Sequence, residues 1–254
     1  MSFTRAQQNA LAQLAELWSH HQFVLIGASA LQVHLPLNRD TRDLDVTLAV
    51  DLDAFPAGLG DLAGWEQAPE REHAWVGPGD VRVDVLPAGP EITAVGYVQW
   101  PTGSRMSVVG FRHVFEHATE IGVSDGVVIR VAQPHVIALL KMIAYLDRPA
   151  ERGRDLADIA FLLEAYVGDD DERRWSDEVF GAQLDFEDVP SYLLGRDLAH
   201  LLDSTERAAV LRFLDAVTEP QTMGRFVREA PPSWQRHEDT SSKRLAAFRI
   251  GLGA

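Results

Sequence analysis

Apolar residues in this chain follow two different spacings, and the change between them divides it. Residues 23–26 form a continuous apolar run, the mark of a short strand buried on both faces. Val81, Val83 and Val85 alternate with Arg82 and Asp84, a strand with one apolar and one polar face. A run at 73–76 precedes it, and the intervening Gly77-Pro78-Gly79-Asp80 predicts a hairpin turn. Leu11, Leu14, Leu17 and Trp18 fall at helical spacing and predict a helix over 4–18. Gly27 then turns the chain into a short helix over 28–35, and a polar loop leads to a second strand ending at Val50. Residues 51–64 read as a polar connection, and 91–131 as further strands around a helix over 109–120. From Pro134 the spacing is helical: a helix to about Asp147, another carrying Arg154 to Ile159, and two more within 189–217. The acidic run 168–172 starts a further helix, and Ser204 to Arg207 carries an N-cap signal. No internal repeat or low-complexity tract is present. The pattern predicts an α/β (α+β) fold. A small mixed sheet with flanking helices occupies about 1–125, a mostly helical half follows over 126–254, and a cleft between them is the expected active site.

Composition adds constraints. At 254 residues, 46% apolar and 24% charged, the chain is an ordinary globular sequence with ample core. It has no cysteine, which removes disulfides and thiolate metal sites. The amphipathic N-terminus is no signal peptide, and Lys141 interrupts the most apolar run, so the expectation is a cytoplasmic protein with no membrane partner. The net charge of −15 opposes a generally nucleic-acid-coating surface. Residues 221–254 nevertheless carry six basic and three acidic residues, a net +3 against −18 elsewhere. They read as a basic tail folded back on an acidic body.

The chemistry concentrates around residues 23–50. Asp43 and Asp45 flank one residue at the mouth of the second strand. They therefore share a face about 6–7 Å apart, and repel by about 2–3 kcal/mol at an effective dielectric of about 20. Open water or a cation between them relieves that repulsion. Gly27 lies between the first strand and a helix whose leading N–H groups favour phosphate, and Ser29 adds a hydroxyl. Asp84 interrupts a β-branched run and lies within reach of the pair if its strand is a neighbour, about 4.8 Å away. Lys141 is one of only two lysines beside 21 arginines, set in an apolar helix where an unpaired ammonium is costly. Asp155 and Asp158 share a face of the next helix.

The run Gly27-Ala28-Ser29-Ala30-Leu31, followed by Arg39-x-Thr41-x-Asp43-Leu44-Asp45, resembles the signature of the DNA polymerase beta nucleotidyltransferase superfamily. More narrowly, it resembles its toxin-type branch (AbiEii/MenT-like). Ala28 stands where that family usually has a second glycine or a serine. Lys141, then Arg148 and Arg154-Asp155-Leu156-Ala157-Asp158-Ile159, matches a lysine followed by R-x-x-x-x-R-D-x-x-D-I. The resemblance, over about 20–165, implies transfer of a nucleotide from an NTP. Two Mg²⁺ would be held by Asp43, Asp45 and Asp84, with Gly27, Ala28, Ser29, Arg39, Thr41 and Lys141 on the nucleotide. Asp155 is favoured over Asp158 to assist the acceptor or orient Lys141. It also implies a toxin–antitoxin or phage-defence setting, with an antitoxin partner and an RNA such as tRNA as acceptor. A small-molecule, aminoglycoside-type acceptor, a protein acceptor, or a non-catalytic NTP-binding module are the alternatives. His113-x-x-Glu116-His117 also fits a zinc-peptidase pattern. It lacks a third ligand at a suggestive spacing and reads as a surface helix face.

Overall fold

Thr4 begins the first helix, α1 (Arg5–Leu17), through a reciprocal cap: its hydroxyl accepts from the Gln7 N–H while the Gln7 side chain accepts from the Thr4 N–H. The computed structural model describes residues 3–37, 41–69, 71–124, 126–236 and 239–254. The chain divides into two compact units, 1–137 and 138–254.

In the first unit, β1 (Phe23–Ile26) leads directly into α2 (Gly27–His34) and then β2 (Leu44–Leu48). After a loop come β3 (Glu66–Gln67), β4 (Ala74–Gly77) and β5 (Val81–Pro87), with the predicted hairpin turn joining the last two. A short α3 (Pro90–Val95) precedes a separate ribbon of β6 (Tyr97–Gln99) and β7 (Arg105–Ser107). Next, α4 (Phe111–Glu116), β8 (Ala118–Ser124) and β9 (Val127–Ala132) complete the sheet. Its order is β3-β4-β5-β2-β1-β9-β8, a mixed sheet with β2 parallel to β5, β1 parallel to β9, and the remaining pairs antiparallel. Leu25, Leu44, Val46, Leu48, Val83 and Val85 are fully buried in it, as are Leu11 and Leu14 of α1. The helix expected over 109–120 stops at Glu116. Residues beyond it pair as β8 against β9, because cross-strand bonding outweighs a weak helical spacing.

Helix α5 (Pro134–Asp147) begins on the proline, as its position predicted, and runs across the division between the units. In the second unit, α6 (Gly153–Ala165), α7 (Asp177–Gly181), α8 (Val189–Ala199) and α9 (Ser204–Thr218) follow. Asp203 caps α9, its carboxylate accepting from the Thr205 and Glu206 N–H groups. The acidic run 168–172 leads into a short 3₁₀ turn rather than directly into an α-helix.

Residues 221–254 are not a tail. They form α10 (Pro220–Glu229), a 3₁₀ turn and α11 (Thr240–Leu252), and α11 packs along α8. Phe226, Trp234 and Phe248 are less than 2% exposed. Their apolar burial, about 1.5–3 kcal/mol per side chain, anchors the segment. Its cations face the unit's own acids: Arg249 lies 2.7 Å from Asp215, Lys243 3.1 Å from Asp185, and Arg244 3.8 Å from Glu164. Three of its six basic side chains are therefore paired within the unit.

Candidate active site

The edge of β1 and the first turn of α2 set the geometry. Gly27 adopts φ +69°, in the left-handed region that favours glycine. The space its missing side chain leaves is filled by Asp45: a Cβ there would stand 2.8 Å from Asp45 Cγ and 2.9 Å from its Cβ. Antiparallel pairing of Ile26 with Asp45 enforces that proximity. The glycine expected for close approach to a phosphate thus also lets a carboxylate lie against the start of α2. Among the described residues no side chain caps the N-terminus of α2, and its first turn holds no acidic residue, an arrangement suited to an anion.

Asp84 is the register partner of Asp45 across the parallel β2–β5 pair, on the same face of the sheet. Its Oδ1 is buried without a hydrogen-bond partner among the described residues, and Arg82 Nε lies 3.7 Å from it. Asp43 is exposed at the entrance to β2. The register thus sets Asp84 beside Asp45, while Asp43 lies one residue before the start of β2. Hard oxygen donors of this kind, one of them buried and unsatisfied, fit a Mg²⁺ site. Their oxygens do not all lie within 4.8 Å of one another.

Ser29 departs from expectation. It is 2% exposed, and its hydroxyl donates to the Asp43 main-chain carbonyl, so it fastens the loop that presents Asp43. Gln7 reinforces that loop from α1, its Nε2 donating to the Thr41 and Arg42 carbonyls at 3.1 and 3.3 Å. Sequence reasoning missed Gln7. The Thr4-x-x-Gln7 spacing signals a cap, but nothing local reveals the long-range contact. Ala28 is buried at the same turn, and the Thr41 hydroxyl is buried without a hydrogen-bond partner among the described residues. Arg39, expected on the nucleotide, lies outside the described residues.

The second unit holds the other expected group. Lys141 is 8% exposed, and its Nζ lies 2.8 Å from both Asp155 Oδ1 and Asp158 Oδ2. Burial by itself would lower its pKa; the fields of the two carboxylates and their hydrogen bonds overcome this and raise it well above the ordinary lysine value. The lysine does not snorkel to the surface. Asp158, 1% exposed, holds Lys141 as Asp155 does, and Asp155 also lies 3.6 Å from Arg152.

The histidine motif also differs from expectation. His113 is 4% exposed rather than on a surface face, and it meets Glu116 and His117 at the end of α4.

Comparison with known proteins places these observations in context. The family model described as "Nucleotidyl transferase AbiEii toxin, Type IV TA system" matches residues 9–237. A solved structure reported as "Solution Structure of Antibiotic-Resistance Factor ANT(2'')-Ia Reveals Substrate-Regulated Conformation Dynamics" is similar over 59% of this chain and 77% of that one. The identity is 16% and the TM-score 0.39. No curated protein matches the chain.

Proposed function

Because this chain belongs to the AbiEii nucleotidyl transferase toxin family, we propose that it transfers a nucleotide from an NTP to an acceptor hydroxyl in a Mg²⁺-dependent reaction. The observation that carries the reading is the register pairing of Asp45 with Asp84 beside Gly27, with Asp43 at the mouth of the same strand. The acceptor oxygen attacks the α-phosphorus, the bond to pyrophosphate breaks, and the hydroxyl proton leaves to a base or solvent. Mg²⁺ bound by Asp43, Asp45 and Asp84 would supply charge neutralisation for the phosphates and acidify the acceptor hydroxyl. The N–H groups opening α2 receive the negative charge of the phosphates, as fixed dipoles that need no reorganisation. Gly27 admits Asp45 to the turn, Ser29 and Gln7 hold the approach to Asp43, and the Thr41 hydroxyl has a donor to offer. By the family's lysine pattern, Lys141 belongs to the triphosphate's cationic surroundings, and Asp155 fixes its position.

The proposed acceptor is RNA and the proposed partner an antitoxin protein, both following from the toxin family. A second reading, a small cationic acceptor, has its own support: the chain carries −15, and the basic residues of 221–254 described above pair internally. Among the described residues no helix is long and apolar enough to cross a membrane. The test is incubation of the protein with each α-labelled NTP, Mg²⁺ and fractionated extract. Label in the RNA fraction, lost with Asp45→Asn, supports the proposal, whereas label confined to small molecules supports the second reading. No labelled product with any NTP would refute both.

A further inference from the structure

We propose that His113, Glu116 and His117 form a binding site for a borderline transition-metal cation, Zn²⁺ by preference, separate from the carboxylates of β2 and β5. Histidines four apart at a helix end bring their rings onto one side, and here the ring centroids lie 5.9 Å apart. Glu116 stands between them: its Oε2 is 3.7 Å from His113 Nδ1 and 3.8 Å from His117 Nε2. All three ligand atoms fall within 4.8 Å of one another. A tetrahedral ion with bonds of about 2.0–2.2 Å spaces its ligands about 3.3–3.6 Å apart. Two of the three separations are therefore within a few tenths of an ångström of a bound geometry, reached by small side-chain rotations. One carboxylate and two neutral imidazoles suit Zn²⁺ or Co²⁺ over Mg²⁺, which demands oxygen.

Burial is graded in the way such a site needs. His113 is anchored at 4% exposure, while the side chains of His117 and Glu116 are 39% and 60% exposed, giving an ion a route from solvent. His135, at the start of α5, has its ring 6.3 Å from that of His117. Coordination through His113 Nδ1 makes Nε2 a donor, so the long 3.4 Å contact from Arg112 Nε must open. Arg112 is an exposed side chain whose rotation allows this. The ion would tie the end of α4 to the start of β8, since His117 is the residue between them. Three protein ligands leave a fourth position for water or for His135.

The test uses the intact protein, stripped of metal and titrated with Co²⁺, read by visible absorption and by thermal unfolding with Zn²⁺. The expected result is one equivalent of Co²⁺ with the intense bands of a four-coordinate N/O site, and a Tm raised by Zn²⁺. His117→Ala and Glu116→Gln, both at exposed side chains that tolerate change, should each weaken binding at least tenfold. Asp45→Asn should leave the bands unchanged. Absence of bands at saturating Co²⁺ would overturn the site, as would bands surviving in the His117→Ala/Glu116→Gln double variant or vanishing with Asp45→Asn. None of these readouts involves nucleotide transfer, so the result stands apart from the proposed activity.

Discussion

Replacing Gly27 with alanine tests the geometry of the site with a single methyl group. The residue sits at φ +69°, where an alanine costs about 1–2 kcal/mol. The added methyl would also press on Asp45, 2.8 Å from Cγ and 2.9 Å from Cβ, inside any ordinary carbon contact. Overpacking of this kind costs about 1–3 kcal/mol, so the expected total is about 2–5 kcal/mol. The clash is relieved by displacing the Asp45 carboxylate, and a displacement of about 1 Å at a reacting centre costs about 10²-fold in rate. Gly96→Ala is the matched control. It has φ +83°, but a Cβ there would meet Val109 only at 3.7 Å, an ordinary contact, so it suffers the backbone strain alone. Urea unfolding and single-turnover transfer from an α-labelled NTP, measured on both variants, separate the two effects. Gly27→Ala should be about 1–3 kcal/mol less stable than Gly96→Ala and about 100-fold slower. Equal stability and equal rate in the two variants would refute the claim that Gly27 exists to admit Asp45.

Four further outcomes follow from the structure. Asp84→Asn should lower transfer by about 10³-fold without lowering the urea midpoint, because it removes charge from an unsatisfied carboxylate; a near-normal rate would remove Asp84 from the site. Lys141→Met leaves the buried Asp158 without its lysine and Asp155 with only Arg152, and should destabilise the protein by about 3–5 kcal/mol, a Tm fall of about 6–20 °C. An unchanged Tm in this variant would contradict the pairing. The raised Lys141 pKa means its contribution is complete below the ordinary lysine value and fades only as pH rises beyond it, so alkaline unfolding titrations should show no loss from this group near pH 9. Truncation after Gly224 removes Phe226, Trp234 and Phe248 and should unfold the second unit by circular dichroism, whereas a soluble, native-like spectrum would restore the reading of this segment as a tail.

Local sequence determined what depends on neighbours along the chain. The apolar run marked β1, the glycine fixed the turn into α2, and Pro134 marked the start of α5. Spacing of three on a helix likewise predicted that Asp155 and Asp158 would share a side. Tertiary structure decided the rest, because it turned on contacts between distant segments. That β5 lies beside β2 in parallel, with Asp84 at the register of Asp45, is a non-local pairing that no turn between them specifies. Gln7 reaches residues 34 positions away, and both aspartates of α6 enclose Lys141 only because two helices pack together. The segment 221–254 shows the same division: its charge was legible from composition, but its aromatic residues placed it in a core, where its cations meet acids from earlier helices. Spacing can show which side chains share a face, whereas what that face meets is decided by packing.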